Sequence, residues 1–367
     1  MQPATPSSKL AIAEQHDAAG RYNDAINALA LGTGAGDMAC TRQLGKRLLT
    51  GDRAPPLPAE GARFLLDAAN LGDAEAAARI AALSALGLYR PQSWGDGLRW
   101  LGVAAERGWQ PARHQLTVLA DEGLGNAIEP DASTTGGHWQ RVAAEIDLSR
   151  WQISPPSRQL SADPQVIALE GFISGGVCDW FIEHSRKRLT RARVYDSVSG
   201  KDLVSQTRTN SVANFDLAAV ELLDLLVQAR MAVACGLPTR NMEAPAVLHY
   251  EVGEQNSDHY DFVDPATPDY TQEIARNGQR VMTFLIYLND DYEGGETGFP
   301  TLGFSHKGRR GAGLFFVNAL RDMQPDLRML HAGRPLTRGE KWIVSQFIRS
   351  RTTLTAAPPL ATSRPTR

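Results

Sequence analysis

Residues 257–265 read SDHYDFVDP, and they place His259 and Asp261 two residues apart. In an extended strand this spacing puts both side chains on the same face, because successive side chains alternate between the two faces of a sheet. An imidazole and a carboxylate on one face can supply two neighbouring ligands to a metal ion. Such pairs also occur by chance on surface strands. A metal site therefore requires a third ligand from elsewhere in the chain.

His331, in LRMLHAGRP (327–335), is the candidate third ligand, because it follows a strand-like apolar run. Two histidines and one carboxylate form the facial triad of non-haem Fe(II) oxygenases, which leaves coordination positions open for a co-substrate and O₂. Lys341 lies ten residues further on, beyond a turn predicted from Pro335 and Gly339, and apolar residues follow it. A partly buried lysine beside iron needs an anionic partner, and 2-oxoglutarate supplies one. The alternative for Lys341 is a solvated charge on a strand.

Five segments of the chain, in order, resemble the prolyl 4-hydroxylase type of Fe(II)/2-oxoglutarate dioxygenase. The resemblance covers about residues 168–350, roughly half of the chain. The five segments are FISGGVCDWFIEHSRKRL (172–189), QTRTNSVANF (206–215), LHYEVGEQNSDHYDF (248–262), RVMTFLIYLNDDYEGGETGFP (280–300) and HAGRPLTRGEKW (331–342).

The resemblance implies a double-stranded β-helix, a distorted jelly roll with flanking helices, that holds iron at its open end. The residues that match the iron ligands are His259, Asp261 and His331. The residues that match contacts to the distal carboxylate of 2-oxoglutarate are Lys341, Tyr250 and Thr297. From the residues alone, Tyr250 is equally a core tyrosine and Thr297 equally a turn-capping residue, so these two assignments depend on the resemblance.

Two further positions concern the substrate side of the predicted site. Arg280 matches an arginine at the start of the family's long strand, where it is either a substrate contact or, as we prefer, part of a structural salt bridge. Phe347 stands where many members carry a tryptophan, and it cannot donate the indole N–H, so we expect a drier or differently shaped pocket. The segment PATPDYTQEIARNG (265–278) is particular to this chain, and loops of this kind often select the substrate.

The resemblance also implies the reaction and its cofactors. Fe(II), 2-oxoglutarate and O₂ together hydroxylate an unactivated C–H bond with release of succinate and CO₂, and L-ascorbate supports activity by reducing the iron. The first hypothesis for the substrate is a prolyl residue in a protein or peptide. The alternatives are a free amino acid or small metabolite, and a repeat-mediated scaffold whose oxygenase half is inactive. The complete set of His259, Asp261, His331 and Lys341 argues against the scaffold.

The N-terminal third repeats at a period of 36 residues. Two sets of glycines are in register, namely Gly36, Gly72 and Gly108, and Gly51, Gly87 and Gly123. The residue pattern of each repeat predicts a helix, a glycine turn and a second helix, and the glycine ends each helix in a left-handed conformation. Periods of this length are typical of stacked helix-pair solenoids. The units resemble Sel1-like, tetratricopeptide-related repeats, with the first unit degenerate; a generic Ala-rich helical bundle is the alternative. Such repeats offer a concave surface that could dock a protein substrate or another partner.

Composition and charge argue against several classes of protein. The 367 residues carry 38 Lys and Arg against 41 Asp and Glu, a formal net charge of −3, so a general nucleic-acid binder is not expected. Three cysteines are too few for a disulfide framework, and the absence of a secretory pattern predicts a cytoplasmic protein. No apolar run approaches the ~20 residues of a membrane span. The predicted α+β two-domain chain has a helical repeat solenoid (1–125), a linker (126–165), the dioxygenase domain (166–355) and a disordered tail (356–367).

Overall fold

The computed structural model describes residues 8–124, 137–196, 201–204 and 207–352. The predicted tail and residues 126–136 of the predicted linker lie outside these ranges. The described chain divides into two compact units. The first contains the described residues up to Asp147 together with Asp216–Leu225, and the second contains Leu148–Phe215 and the described residues from Leu226 onward. The predicted domain boundaries stay predictions.

The first unit is helical. Its helices are α1 (Ser8–Ala18), α2 (Tyr22–Gly34), α3 (Met38–Thr50), α4 (Pro58–Asn70), α5 (Ala74–Leu86), α6 (Trp94–Glu106), α7 (Gln110–Leu124) and α8 (His138–Glu145). The starts of α2, α4 and α6 are 36 residues apart, as are the starts of α3, α5 and α7. From α1 to α7, each helix packs against the next one along the chain. This arrangement confirms the predicted helical repeats. The first repeat, although its sequence is degenerate, has helices at the same spacing as the later repeats.

Small and acidic residues set the turns between the paired helices. Gly36, Gly72 and Gly108 have φ of 80°, 112° and 91°, which side chains with a Cβ rarely adopt. The next residue of the first two turns, Asp37 or Asp73, accepts hydrogen bonds from backbone N–H groups of the following helix. Each turn therefore ends one helix with a left-handed residue, and in these two turns an acidic N-cap begins the next.

The second glycine set behaves as predicted at two of its three positions. Gly51 and Gly87 end α3 and α5 in the left-handed conformation. Gly123 lies in α7 one residue before Leu124, where the described part of that helix stops, so the helix end predicted there stays a prediction. A single glycine lowers helix propensity by about 1 kcal/mol relative to alanine, which an extended helix can tolerate.

A buried charge cluster joins Asp216–Leu225 to the repeats within the first unit. Arg79 on α5 pairs with the Glu221 carboxylate and donates to the Val220 carbonyl at 2.5 Å. Gln115 on α7 donates to Glu221 at 3.0 Å and accepts from the Leu223 N–H at 3.1 Å. Arg79, Gln115 and Glu221 are each at most 2% exposed. A stretch predicted to belong to the dioxygenase domain therefore completes the core of the helical unit.

The second unit is built on antiparallel sheets. Its strands are β1 (Ser157–Ser161), β2 (Val166–Leu169), β3 (Thr190–Arg191), β4 (Arg193–Asp196), β5 (Lys201–Val204), β6 (Ser211–Asn214), β7 (Ala246–Tyr250), β8 (Asn256–His259), β9 (Arg280–Tyr287), β10 (Glu293–Gly294), β11 (Thr297–Phe299), β12 (Phe304–His306), β13 (Gly313–Val317), β14 (His331–Gly333), β15 (Leu336–Arg338) and β16 (Lys341–Arg349). The remaining helices of the chain are α9 (Gly175–Arg186), α10 (Leu222–Cys235) and α11 (Pro268–Asn277), with 3₁₀ turns at Ser149–Gln152, Thr239–Asn241, Pro300–Leu302 and Leu327–Met329.

Two of these sheets hold the predicted site. The large sheet has eight strands in the order β1-β2-β13-β9-β16-β7-β6-β3, and a four-stranded sheet has the order β12-β11-β14-β8. Side chains of β7, β9, β13 and β16 share one apolar core with Phe299 of β11, which comes from the smaller sheet. The fold is thus a helical repeat region followed by an antiparallel-sheet domain, as predicted. The jelly-roll connection of the strands stays a prediction from the resemblance.

Among the described residues, no helix combines the length and the apolar character that crossing a bilayer would require.

Candidate active site

Two histidines and one carboxylate meet where β8 pairs with β14. His331 lies directly opposite His259 in this pair, and Asp261 follows β8 by two residues. His259 Nε2 lies 3.4 Å from Asp261 Oδ1, and His331 Nε2 lies 3.1 Å from Asp261 Oδ2. One ligand atom from each residue lies within 4.8 Å of the other two. In the part of the chain that the structure describes, no other group of three potential metal ligands has this spacing.

Backbone carbonyls orient both imidazole rings. His259 Nδ1 lies 2.7 Å from the Ser257 carbonyl oxygen, and His331 Nδ1 lies 2.9 Å from the Met329 carbonyl oxygen. Because a carbonyl oxygen only accepts hydrogen bonds, Nδ1 carries a proton in both rings, and Nε2 is the ring nitrogen that could bind a metal. Phe316 packs edge-on against His331, with ring centroids 4.8 Å apart. Both rings are thereby held with their metal-binding nitrogens toward Asp261.

Asp261 is buried but charged. Burial alone favours the neutral acid, yet His331 and His259 outweigh it and hold the pKa of the Asp261 carboxyl well below its usual range. Thr283 Oγ1 on β9 donates to Asp261 Oδ2 at 2.6 Å, and Asn318 Nδ2 donates to Thr283 Oγ1 at 2.8 Å. This short chain of hydrogen bonds fixes the carboxylate that faces the two histidines. Conversely, the Asp261 charge outweighs burial at His331 and raises the pKa of that imidazole.

A buried ammonium group lies on the large sheet. Lys341 begins β16, is 3% exposed and donates to the Gly295 carbonyl at 2.6 Å. Among the described residues, no carboxylate forms an ion pair with it. Burial disfavours the charged form and lowers the pKa of Lys341 to about 8. The side chain is therefore a buried cation that lacks an anionic partner.

Phenol and hydroxyl groups surround this cation. Tyr250 on β7 is the direct cross-strand neighbour of Lys341, and its ring centroid lies 5.3 Å from Nζ. Tyr287 at the end of β9 places its ring centroid 5.8 Å from the same Nζ, and its hydroxyl lies 2.8 Å from Thr297 Oγ1. Burial raises the pKa of Tyr250 to about 12 and also raises that of Tyr287, so both phenols stay neutral donors.

The Gly-Gly turn before Thr297 requires its glycines. Gly294 and Gly295 have φ of 69° and 66°. A Cβ on Gly294 would lie 2.5 Å from the Pro335 carbonyl oxygen, and one on Gly295 would lie 3.3 Å from Lys341 Cδ. The turn can therefore approach the Lys341 chain closely enough for the Gly295 carbonyl to accept its hydrogen bond.

One cavity of about 1020 Å³ is lined by the three candidate metal ligands together with Lys341, Tyr250 and Thr297. Its wall contains every predicted site residue, which are His259, Asp261, His331, Lys341, Tyr250, Thr297, Arg280 and Phe347. Aromatic and apolar side chains with substantial exposure, such as Tyr260 and Leu327, also line it. Three metal-binding atoms and a buried cation thus face one space that is large enough for a small molecule and part of a second one.

Comparison with known proteins identifies the family. Residues 245–349 match the model of the 2OG-Fe(II) oxygenase superfamily. Prolyl 4-hydroxylase 1 of Arabidopsis thaliana is 33% identical over 233 residues, an alignment that covers 56% of this chain and 80% of that protein. The chain belongs to the prolyl 4-hydroxylase family of 2OG-Fe(II) oxygenases. Probable prolyl 4-hydroxylase 7 of A. thaliana is 32% identical over 209 residues, which cover 52% of this chain and 64% of that protein.

Two solved structures are similar to parts of this chain, each with a TM-score below 0.5. The viral collagen prolyl hydroxylase vCPH from Paramecium Bursaria Chlorella virus-1, in complex with 2OG, is 28% identical with a TM-score of 0.40, covering 51% of this chain and 96% of that chain. A Sel1 repeat protein from Oxalobacter formigenes is 19% identical with a TM-score of 0.30, covering 40% of this chain and 61% of that chain.

Members of this family use Fe(II), 2-oxoglutarate and O₂, and the residues present fit that set. Two imidazole nitrogens and one carboxylate suit Fe(II). The unpaired, buried Lys341 suits the distal carboxylate of a dicarboxylate, which would satisfy the charge that burial now penalises. Three candidate metal ligands and a buried cation in the wall of one cavity are the two kinds of anchor that 2-oxoglutarate would require.

Arg280 is held in a salt bridge in this oxygenase. Its guanidinium donates to both oxygens of Glu243, at 2.7 and 2.9 Å, and lies 3.9 Å from the centroid of the Phe347 ring. Arg349 donates to the same carboxylate at 2.6 Å. Arg280 also lines the cavity, where its guanidinium lies over the Phe347 ring. The geometry agrees with the salt bridge that we preferred for Arg280.

Three residues of the site were missed by the sequence analysis. Tyr287 reads as a core residue because it ends a continuous apolar run, RVMTFLIY (280–287). Thr283 lies in the same run, and Asn256 lies in a polar stretch without periodicity. Their positions depend on which strands pair across the sheets, and a spacing pattern within one segment does not contain that information.

Proposed function

We propose that this protein hydroxylates prolyl residues of a protein or peptide and converts 2-oxoglutarate and O₂ into succinate and CO₂. The observation that carries the proposal is the convergence of His259, Asp261 and His331 on one cavity with the unpaired cation of Lys341. Iron bound by the three ligands would supply the activation of O₂ and the oxidation of the C–H bond. The protein orients both substrates beside that centre.

Lys341, Tyr250 and Thr297 would bind the distal carboxylate of 2-oxoglutarate, and Tyr287 would orient Thr297 through the hydrogen bond between their hydroxyls. An ammonium and neutral hydroxyl donors suit a carboxylate in a low-dielectric pocket, where charge-assisted hydrogen bonds are strong. Thr283 and the Ser257 and Met329 carbonyls would act through the metal ligands that they orient. Arg280 and Phe347 would shape the wall on the side of the substrate.

A peptide substrate is supported by the relatives and by the size of the cavity. The curated relatives are named prolyl 4-hydroxylases. A volume of about 1020 Å³ exceeds what 2-oxoglutarate and one free amino acid require, and its wall includes the exposed Tyr260 and Leu327. The helical repeats would dock the protein that carries the prolyl residue. L-ascorbate would sustain turnover by reducing the iron. A cytoplasmic location is the last part of the proposal, because three cysteines are too few for a disulfide framework.

The test uses the full chain with Fe(II), 2-oxoglutarate, ascorbate and a proline-rich peptide. Succinate formation and the gain of one oxygen by the peptide, located by mass spectrometry, are measured for the wild type, His259→Ala and the control His138→Ala on α8. We expect product from the wild type and the control and none from His259→Ala. Oxidation of free L-proline without oxidation of the peptide would indicate a small-molecule hydroxylase. A wild type that binds neither Fe(II) nor 2-oxoglutarate would contradict the oxygenase activity.

A further inference from the structure

Asn256 is a polar side chain at the candidate metal centre that none of the assignments above uses. It begins β8, three residues before His259, and it lines the cavity. Its Nδ2 lies 3.1 Å from His259 Nε2. An amide nitrogen only donates hydrogen bonds, so in this contact Asn256 is the donor and His259 Nε2 is the acceptor, which agrees with the Nδ1 proton directed at the Ser257 carbonyl.

This hydrogen bond and a bound metal exclude each other. The Nε2 lone pair that accepts from Asn256 is the same lone pair that a metal ion must take. Among the described residues, no other side chain is hydrogen-bonded to the Asn256 amide. Metal binding would therefore leave a half-buried N–H donor without an acceptor, directly beside the centre. Such a donor costs free energy unless the bound ligands supply a new acceptor.

The position of Asn256 indicates which ligand supplies that acceptor. Gly333, on the paired strand β14, has no side chain, and a Cβ built on it would lie 3.7 Å from Asn256 Cβ and 3.6 Å from Tyr250 Oη. Asn256 and the Tyr250 hydroxyl therefore flank the same open space. Tyr250 neighbours Lys341, whereas Asn256 neighbours His259, so Asn256 stands at the metal end of the space between the two anchors.

We propose that the Asn256 amide donates a hydrogen bond to the metal-proximal carboxylate of 2-oxoglutarate and is a co-substrate-binding residue. The inference rests on the proposed function, because it assumes a dicarboxylate that reaches from the metal to Lys341. A carboxylate oxygen is the charged acceptor that a freed amide donor prefers. Asn256 thus exchanges one acceptor, the bare His259 nitrogen, for another that arrives with the co-substrate.

The experiment measures binding rather than turnover. The full chain is loaded with Mn(II) without peptide, and 2-oxoglutarate is titrated by calorimetry into the wild type, Asn256→Ala and Asn256→Asp. The control is Asn214→Ala, the same change at an exposed position of β6 that does not line the cavity. A separate titration measures Mn(II) binding by each protein, which also reports whether each variant is folded.

We expect Asn256→Ala to bind 2-oxoglutarate about ten- to a hundredfold more weakly, the usual effect of losing a hydrogen bond to a charged group. Its affinity for Mn(II) should equal or exceed that of the wild type, because the competing hydrogen bond is gone. Asn256→Asp should bind 2-oxoglutarate more weakly still, because the new carboxylate repels that of the co-substrate, and it should retain its affinity for Mn(II). Asn214→Ala should match the wild type in both titrations.

Two results would overturn the inference. One is an Asn256→Ala protein whose affinity for 2-oxoglutarate stays within about twofold of the wild type. The other is unchanged 2-oxoglutarate binding with a raised KM for the peptide alone, which would assign the amide to the substrate. A wild type that binds Mn(II) but no 2-oxoglutarate would instead contradict the proposed function, so the two failures are distinguishable.

Discussion

The Lys341 ammonium is the least satisfied charge of the candidate site. It is buried beside two phenol rings, and among the residues that the structure describes its one hydrogen-bond acceptor is the Gly295 carbonyl. Burial lowers its pKa from 10.5 to about 8, and a carboxylate bound nearby would raise it again. Binding of a dicarboxylate should therefore be linked to protonation of this one side chain.

This linkage predicts how 2-oxoglutarate binding depends on pH. Lys341 is protonated below its pKa of about 8 and neutral above it, so the affinity should be constant below pH 8 and fall by up to about tenfold per pH unit above it. Calorimetry on the Mn(II)-loaded protein between about pH 7 and about pH 9.5 measures the dependence. Lys341→Arg should bind without this decline, because the guanidinium stays charged. Lys341→Met should bind weakly at every pH, and an unchanged wild-type affinity across the range would contradict the role of Lys341.

Thr283 is a second residue whose effect can be isolated. Its hydroxyl donates to Asp261 at 2.6 Å, and the side chain is 1% exposed, so Thr283→Val preserves the shape of the core while removing the donor. We expect the affinity for Mn(II) to fall by about ten- to a hundredfold, the usual effect of losing a group that orients a metal ligand. Thr283→Ser keeps the hydroxyl and should stay close to the wild type. Equal Mn(II) affinities in Thr283→Val and the wild type would mean that Asp261 is held by the histidines alone.

At the scale of residues, the sequence predicted the members of the site better than their environment. His259, Asp261 and His331 were expected together, and the structure brings their ligand atoms within 4.8 Å. The burial of Lys341 was expected from its apolar neighbours, whereas the positions of Tyr287 and Asn256 beside the site were not predicted. They depend on pairing between strands far apart in the chain, such as β8 with β14 and β7 with β16.

At the scale of elements, the glycine period predicted the helical repeats because each turn imposes a local requirement. A left-handed residue must end one helix, and an N-cap begins the next, so the signal lies within a few residues. The short strands β10, β11 and β14 were not predicted as elements, because segments of two or three residues carry too little periodicity.

The N-cap of α5 is a testable element of the repeats. Asp73 Oδ1 accepts from the Ala76 N–H at 2.8 Å, and Asp73 Oδ2 accepts from Arg42 on α3 at 2.7 Å. Asp73→Ala should lower the free energy of unfolding by about 1–2 kcal/mol, measured by urea denaturation of the full chain. Asp73→Asn keeps a capping oxygen and should recover most of the loss. The exposed Asp52→Ala is the control, and a stability of Asp73→Ala equal to that control would contradict the cap.

At the scale of the whole molecule, the helical unit is not a continuous stretch of sequence. Glu221 reaches its partners Arg79 and Gln115 from more than 100 residues away, and Leu223 lies in the same buried cluster. No local pattern marks these pairings, because a lone glutamate before an apolar helix reads as an ordinary helix start. The prediction that placed 216–225 with the oxygenase followed from chain order alone.

The Arg79–Glu221 pair predicts a distinctive stability pattern. Arg79→Met leaves the 1%-exposed Glu221 carboxylate without its cation, which should lower the free energy of unfolding by about 3–5 kcal/mol. The double variant Arg79→Met with Glu221→Leu removes both charges and should regain much of that loss. Urea denaturation of the full chains measures both. A double variant no more stable than Arg79→Met alone would show that the pair contributes through packing rather than charge.

The placement of Asp216–Leu225 has a consequence for synthesis on the ribosome. Repeat proteins usually gain stability as each repeat emerges, because each one contacts only its neighbours. Here the final pieces of the helical core are translated after residue 147, as part of the following 78 residues. Glu221 follows Arg79 by 142 residues, so at ~5–20 residues per second Arg79 waits about 7–28 s for its partner. During that interval the Arg79 guanidinium of the nascent repeats has no Glu221 carboxylate to pair with, although it is buried in the folded protein. A chaperone that covers this part of the helical unit would therefore act most usefully before Glu221 is synthesised.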